Sequence, residues 1–213
     1  MTSKNSKAPL PLSVAVLMGG ESKRFGSSKA FLPFEEKSLA AHILQQSAQY
    51  SGEVFAVSRS LDQVPPDARA FFPVVMDLWE EKGPLSGLHS ALLHTTQPVL
   101  LLRGVDMPFL KREVVEGLLK FWAEADKPLA LVPRIIGVWE PLCALWSREL
   151  LPLLQNEKGG SFQKWLSSGR FSVREILEKE LRQLDPNLDC LKNFNTPAEW
   201  KSSFPSDSRP AKF

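Results

Sequence analysis

Apolar runs alternate with amphipathic segments along the first two thirds of the chain. Four runs are almost continuously apolar and read VAVLM at 14–18, EVFAVS at 53–58, PVVM at 73–76 and PVLLL at 98–102. Such runs predict strands that are buried on both faces, as in a parallel sheet. Between them, apolar residues at helical spacing predict helices near 38–50, 86–95 and 111–124. This alternation of strands and helices predicts repeated βα units.

The pattern is less regular after residue 128. Strands are predicted at 129–133 and 140–146, and short helices at 148–154, 161–166 and 174–181. The fold class that this order predicts is α/β, with a mostly parallel sheet and helices on both faces in three α/β/α layers.

Both ends of the chain differ in composition from the middle. Residues 1–11 and 205–213 are rich in serine, proline and lysine and poor in large apolar side chains. Such segments bury too little apolar surface to offset the entropy of ordering. We therefore expect a disordered N-terminal tail over 1–11, a single domain over 12–204 and a flexible C-terminal tail over 205–213.

Composition excludes several classes of partner. The 213 residues are 43% hydrophobic, and 26 basic against 24 acidic residues give a formal net charge of +2, so no nucleic-acid partner is expected. The longest apolar run is far too short to span a bilayer, so we expect no membrane association and a cytoplasmic location. The only cysteines, Cys143 and Cys190, lie in different segments and predict neither a disulfide framework nor a zinc site.

A loop rich in glycine and cations follows the first predicted strand. Residues 17–29, LMGGESKRFGSSK, hold three glycines and three basic residues. Glycine has no Cβ, so the N–H groups of this loop can approach a phosphate closely, and the cations supply charge. The spacing matches neither the P-loop nor the GxGxxG pattern. The loop predicts a site for the phosphates of a nucleotide, with a solvated surface turn as the alternative.

Carboxylates follow two of the other predicted strands. Asp106 comes after the strand at 98–102, and Asp77 follows the strand at 73–76, which we expect to lie one strand away. Ligands of such sheets bind at the edge where the parallel strands end. Mg²⁺ that bridges phosphates is held by one or two carboxylates. Asp106 is therefore a candidate Mg²⁺ ligand, and the alternative is a carboxylate that only caps a turn.

Five motifs, taken in chain order, resemble those of the bacterial molybdenum cofactor guanylyltransferases. They are LxGGxSxRxGxxKA at 17–30, GPLSG at 83–87, VDMP at 105–108, EPLCALW at 140–146 and NFNTP at 193–197. That family belongs to a group of Rossmann-like nucleotidyltransferases, so the resemblance implies a Rossmann-like fold. The Gly19–Gly20 pair is similar to the LAGG of the guanylyl enzymes, whereas related cytidylyl enzymes tend to have LAAG. GTP is therefore the nucleotide that the resemblance implies.

The activity that the resemblance implies is transfer of GMP from GTP to molybdenum-bearing molybdopterin, with Mg²⁺ as cofactor and pyrophosphate as the leaving group. It implies catalytic roles for Arg24, Lys29 and Asp106, with Asp106 as the metal ligand. The implied nucleotide-binding positions are Leu17, Met18, Gly19, Gly20, Lys29, Ser58, Asp77, Gly83 and Asp106. Asn193 and Asn195 are assigned to the pterin side.

Other functions stay open at this level. One is another nucleotidyltransferase of the group, either a CTP-dependent molybdopterin cytidylyltransferase or a sugar-phosphate enzyme. The other is a weakly active homologue that binds nucleotide and delivers cofactor. Partners besides GTP and molybdopterin would be cofactor-biosynthesis proteins or molybdoenzyme chaperones. Ser28 stands where the family usually has Asp, and we expect this change to affect the rate more than binding.

Overall fold

A computed structural model describes residues 8–18, 28–77, 84–155, 157, 160–194 and 199–200. The strands in these ranges are β1 (Leu10–Leu17), β2 (Pro33–Phe34), β3 (Lys37–Ser38), β4 (Ser51–Ser58), β5 (Val74–Met76), β6 (Val99–Gly104), β7 (Ala130–Ile135), β8 (Val138–Trp139), β9 (Cys143–Ser147) and β10 (Val173–Leu177). The α-helices are α1 (Leu39–Ala48), α2 (Pro66–Arg69), α3 (Pro84–His94), α4 (Arg112–Glu124), α5 (Leu151–Gln155), α6 (Phe162–Leu166) and α7 (Glu178–Leu184).

The main sheet has the strand order β10-β7-β9-β6-β1-β4-β5, and β8 pairs with β7 outside this path. Strands β1, β4, β5 and β6 are parallel, while β9 is antiparallel to both β6 and β7. The sheet is therefore mostly parallel, as predicted. Strands β1, β4, β5, β6 and β7 all end at one edge, which we call the carboxyl edge.

Both faces of the sheet are covered. Val14 and Val16 of β1 belong to a buried cluster that includes residues of α1, α4 and α7. Ala15 points to the other face, where it joins a cluster with α3, α5 and α6. Because neighbouring residues of one strand are buried on opposite faces, a continuously apolar run is required, and the three-layer prediction is confirmed.

Most predicted elements are found within two residues of their expected bounds, and the largest difference at the start of the domain lies in β1. This strand begins at Leu10, so the last two residues of the tail predicted over 1–11 belong to the sheet. Nearby, the Arg112 side chain donates to the backbone oxygen of Ala8 at 2.7 Å. Residues 1–7 and 201–213, which include the predicted C-terminal tail, lie outside the described residues.

The helix predicted at 174–181 is wrong over its first half. Residues 173–177 form β10, which pairs in parallel with β7, and α7 begins only at Glu178. Pairing satisfies the backbone groups along an otherwise open edge of β7, and that gain overrides a local helical pattern. The change from strand to helix is stabilised by Glu180, whose carboxylate accepts from the Leu177 amide at 2.9 Å.

The strand predicted at 140–146 begins three residues late, at Cys143, after a turn. The strand β8, which precedes β9 in the chain, and the Ile136–Gly137 turn before β8 were not predicted, because a two-residue strand has no periodicity to detect. Within the described residues, no helix combines the length and the apolar character that crossing a membrane requires.

Candidate active site

Lys29 and Asp106 meet at the carboxyl edge. Lys29 Nζ lies 2.7 Å from Asp106 Oδ2, and the two side chains are 13% and 21% exposed. At this partial burial the pair is less screened by water than a surface ion pair. A basic side chain from the first loop and a carboxylate from the loop after β6 are therefore brought into direct contact.

Lys29 is positioned by a short 3-10 helix, Lys29–Phe31. Ser28 caps this helix, because its hydroxyl accepts from the Ala30 amide at 3.3 Å. The buried Ala30 methyl anchors the turn in the core. Serine and aspartate are both good N-caps. Ser28 thus caps the helix as an aspartate would, but without a negative charge beside Lys29.

Asp106 is positioned by the tight turn that ends β6. The Val105 amide donates to Leu17 O at 3.2 Å, and the Met107 amide donates to Gly104 O at 3.4 Å. A Cβ built on Gly104 would lie 2.7 Å from Asp106 Oδ1, closer than side-chain carbons approach an oxygen. Glycine at 104 therefore provides the space that the Asp106 carboxylate occupies. This glycine was not predicted as a site residue.

Leu17 and Met18 lie at the end of β1, as predicted. The Met18 amide donates to Val57 O at 2.9 Å, and the Met18 side chain is 2% exposed. Leu17 packs against α3, where a Cβ on Gly87 would lie 3.0 Å from Leu17 Cδ2. Met18 is thus enclosed in the core and Leu17 is fixed against a helix, while the Met18 amide and the Leu17 oxygen are both bonded within the protein.

Ser58 and Asp77 lie together at the far end of the carboxyl edge. The Asp77 amide donates to Ser58 O at 2.7 Å. The Ser58 hydroxyl donates to Ser60 O at 2.9 Å, within its own loop. The Asp77 carboxylate accepts from Ser86 and from Ser90 of α3.

The prediction that Asp77 lies one strand from Asp106 is wrong. Strands β1 and β4 separate β5 from β6, so the two strand ends are three spacings apart, about 14 Å. Chain order and strand order differ here because β6 enters the sheet on the opposite side of β1 from β4. Asp77 therefore lies at one end of the carboxyl edge, whereas Asp106 lies near its middle.

Asn193 lies in an irregular segment beside the Asp106 loop. Its side chain is exposed, whereas the neighbouring Phe194 is 4% exposed. The Phe194 ring packs edge-on against Phe109, with 6.0 Å between ring centroids. Phe109 is three residues after Asp106, so this contact fixes the Asn193 segment next to the loop. Neither phenylalanine was predicted to contribute to the site, although an apolar residue between the two asparagines of NFN is a signal of such packing.

Glu140 is a half-buried carboxyl group in the turn that precedes β9. Burial raises the pKa of this group above its ordinary value. Leu142, in the same turn, has a methyl group 3.3 Å from the Cβ position of Gly104. The turn therefore packs beside the Asp106 loop. Glu140 was part of a quoted motif but was not predicted as a site residue.

The other predicted site residues, Gly19, Gly20, Arg24, Gly83 and Asn195, lie outside the described residues. Within the described residues, no group of three or more histidine, cysteine or carboxylate side chains is arranged to hold a metal ion. Any metal at this edge would therefore take at most two histidine, cysteine or carboxylate ligands from those residues. Cys143 and Cys190 are buried and carry free thiols.

Comparisons with known proteins give one family. The family model described as "MobA-like NTP transferase domain" matches residues 14–174, more than half of the chain. A protein of Clostridium perfringens (strain 13 / Type A), named probable molybdenum cofactor guanylyltransferase, is 30% identical over 169 residues, which are 78% of this chain and 81% of that protein. The molybdenum cofactor guanylyltransferase of Desulfosudis oleivorans is 29% identical over 188 residues, or 86% and 90% of the two chains.

A solved structure shares the fold over nearly the whole length of both chains. It is molybdopterin-guanine dinucleotide biosynthesis protein A from Archaeoglobus fulgidus, with a TM-score of 0.75 and 28% identity over 90% of this chain and 96% of that one. The Rossmann-like prediction is confirmed by this likeness.

Proposed function

The chain belongs to the MobA-like NTP transferase family, and from this premise we propose that it transfers GMP from GTP to molybdenum-bearing molybdopterin and releases pyrophosphate. The relatives that cover most of the chain are named for that guanylyl transfer. The product would be the molybdopterin guanine dinucleotide cofactor.

The ion pair of Lys29 and Asp106 is the observation that supports this function most directly. It lies at the carboxyl edge, where ligands of doubly wound sheets bind, and directly beside the end of the glycine-rich loop. Transfer of a nucleotidyl group moves negative charge from the attacking phosphate oxygen, across the α-phosphorus, to the leaving pyrophosphate. A partly buried cation at this edge is suited to stabilise that charge.

The reaction requires little proton transfer by the protein. An oxygen of the terminal phosphate of molybdopterin attacks the α-phosphorus of GTP, and the bond from that phosphorus to the oxygen bridging to the β-phosphate breaks. The attacking phosphate is already ionised at neutral pH, so no general base is needed. Catalysis then depends on positioning and charge stabilisation, which we assign to Lys29 and Arg24. An ammonium group has three donor hydrogens and can serve several phosphate oxygens.

Asp106 is the residue that we propose to hold Mg²⁺. The donor chemistry fits, because phosphate-bound Mg²⁺ takes one or two carboxylates from the protein and its other ligands from phosphates and water. Gly104 leaves open the space around Asp106 Oδ1 that a Cβ would fill. When bound, the ion would neutralise phosphate charge and make the pyrophosphate a better leaving group.

The positions of the candidate residues along the carboxyl edge suggest where each substrate lies. Ser58 and Asp77 are far from Asp106, which supports contacts of Asp77 with the nucleoside rather than with the metal. We propose that Leu17, Met18, Gly19, Gly20 and Gly83 line the nucleotide site. Asn193 and Asn195 are proposed for the pterin, and the packing of Phe194 on Phe109 supports this placement.

The cytoplasm is the location that we propose for this reaction. The free thiols of Cys143 and Cys190 are consistent with a reducing compartment. Cofactor-biosynthesis proteins or molybdoenzyme chaperones would then supply the pterin and receive the product.

A transfer assay tests the proposed function. The purified protein is incubated with Mg²⁺, GTP labelled at the α-phosphate, and molybdopterin that carries molybdenum. We expect label in a pterin dinucleotide and one pyrophosphate released for each dinucleotide formed. Pyrophosphate release that is independent of the pterin, or transfer from CTP in preference to GTP, would contradict the proposal.

A further inference from the structure

Arg103, the fifth residue of β6, carries a guanidinium group into the core behind the Asp106 loop. The residue is 0% exposed. Its Nη1 donates to Ser47 Oγ at 3.0 Å and to Tyr50 Oη at 3.1 Å. Its Nη2 donates to Gln46 Oε1 at 3.0 Å and to the backbone oxygen of Met107 at 2.7 Å. One arginine thus connects the helix α1 to the residue that follows Asp106.

Burial of the Arg103 guanidinium costs free energy, which its hydrogen bonds must offset. Within the described residues, Arg103 forms no ion pair with a carboxylate, and its four acceptors are neutral oxygens. Removing a guanidinium group from water without a counter-charge is unfavourable unless its hydrogens are well bonded. Buried charged groups can often be replaced by hydrophobic side chains without loss of stability, so burial of Arg103 is weak evidence for a stabilising role. The shortest of its four bonds, 2.7 Å, is the one to the loop.

Gln46 makes a second contact with the same loop. Its side-chain nitrogen donates to the backbone oxygen of Pro108 at 3.0 Å, while its oxygen accepts from Arg103. Two consecutive carbonyl groups are therefore held, that of Met107 by Arg103 of β6 and that of Pro108 by Gln46 of α1. We call Arg103 and Gln46 together the loop clamp.

The loop has weaker bonds of its own. Its internal bond, from the Met107 amide to Gly104 O, is 3.4 Å long, and the bond from Val105 to Leu17 O is 3.2 Å long. The two bonds of the clamp to the loop measure 2.7 and 3.0 Å, and the shorter one carries a charged donor. Charged donors form the stronger hydrogen bonds. The clamp is thus the stronger restraint on the residues next to Asp106.

We propose that Arg103 and Gln46 are positioning residues that hold the 104–108 loop so that Asp106 meets Lys29 and binds Mg²⁺. They act through Met107 and Pro108 and do not touch substrate. The link to Mg²⁺ rests on the proposed function, whereas the restraint on the loop does not. This positioning role accounts for Arg103 in the otherwise apolar strand β6.

Gln46→Met tests the clamp without emptying the core. Methionine keeps the length of the side chain but loses both amide contacts. The matched control is Gln45→Met, because Gln45 makes a similar bond on the same helix, accepting from Lys37 Nζ at 2.6 Å, away from the loop. Hydrogen exchange is followed in the metal-free protein for a peptide that covers residues 104–110. We expect exchange about tenfold faster in Gln46→Met, as for the loss of a bond of about 1.4 kcal/mol, and no change in Gln45→Met.

The Mg²⁺ concentration for half-maximal turnover is the second measurement. We expect Gln46→Met to raise it about tenfold, since partners behind a metal ligand commonly affect affinity on that scale. Arg103→Lys, which can keep one bond to Met107 O, should lie between the wild type and Arg103→Met. Unchanged loop exchange in Gln46→Met, equal effects in Gln45→Met, or an unchanged Mg²⁺ requirement would each overturn the proposal. A wild type without transfer activity but with the expected exchange difference would contradict the proposed function and support the clamp.

Discussion

Lys29 Nζ and Asp106 Oδ2 lie 2.7 Å apart although 77 positions separate the two residues along the chain. Neither residue is in a long regular element. Asp106 is placed by the turn that ends β6, and Lys29 is placed by a short 3-10 helix in the segment between β1 and β2. The two side chains pair a cation with a carboxylate at the carboxyl edge of the neighbouring strands β1 and β6, where ligands of such sheets bind.

Asp106→Asn should abolish Mg²⁺-dependent turnover while the protein stays folded. An amide keeps the shape of the side chain but lacks the negative charge that a hard cation requires. Activity is measured against Mg²⁺ concentration, and folding by thermal melting. Asp126→Asn, at an exposed position, is the control for loss of one carboxylate. Near-normal activity in Asp106→Asn would mean that Asp106 only caps a turn.

Lys29→Ala should lower turnover by about two orders of magnitude, the scale on which loss of one preorganised charge donor acts. Arg24→Ala should behave similarly, whereas Lys23→Ala should be tolerated because we expect that side chain to face solvent. Steady-state kinetics with saturating GTP and Mg²⁺ measure all three. A strong loss at Lys23 with none at Lys29 would reverse the assigned orientation of the loop. Small, equal losses would favour a solvated surface turn.

GTP with Mg²⁺ should stabilise the protein more than CTP, ATP or UTP. A ligand that binds only the folded state at a hundred times its Kd adds about 2.7 kcal/mol to the free energy of unfolding. Thermal melting with each nucleotide at the same concentration gives the comparison, and the same series without Mg²⁺ is the control. An equal or larger shift with CTP would favour the cytidylyltransferase alternative.

Gly104→Ala should reduce turnover by about ten- to a hundredfold with little loss of stability. The new methyl group would lie 2.7 Å from Asp106 Oδ1, so the carboxylate must move, and displacements of about 1 Å at a reacting centre have effects on this scale. Gly52→Ala is the matched control, because nothing lies within 4 Å of a Cβ at that glycine. Full activity in Gly104→Ala would show that Asp106 tolerates displacement.

Glu140→Gln should stabilise the protein increasingly as pH rises. Burial raises the pKa of Glu140 in the folded state, so folding favours the protonated form. The stability associated with that form is complete below the ordinary pKa of a glutamate, about 4.3, and is lost as pH rises through the folded-state pKa. Urea unfolding at acidic and neutral pH measures the difference, and Glu36→Gln, at an exposed position, is the matched control. A difference that shrinks with rising pH would contradict this sign.

Much of the fold was predictable because layer assignment depends on local pattern. Continuous apolar runs indicated the buried strands, and the spacing of apolar residues located α1, α3 and α4 within two residues. The failure at 174–181 has a physical cause. A segment with one deeply buried side chain, Ile176, has little preference of its own, and the open edge of β7 decided its structure.

The part of the candidate site that was predicted is the part with a local signal in the sequence. A carboxylate after a strand and cations after the first strand are visible in sequence, so Asp106 and Lys29 were both found. Gly104 and Gln46 were not predicted. Nothing in the sequence around Gly104 shows that the Asp106 carboxylate lies against it, and nothing around Gln46 shows that its side chain reaches the Pro108 carbonyl.

The sequence by itself determined the α/β layers and the family, since each is encoded in residues close together in the chain, and it predicts a phosphate site in the 17–29 loop. Only the tertiary structure decided that β6 lies beside β1 while β5 lies three strands from β6, and hence that Asp106, not Asp77, pairs with Lys29. It also decided the clamp, in which Arg103 and Gln46 meet across 57 positions. The physical reason is that strand order depends on the balance of burial over the entire sheet, which no local periodicity specifies.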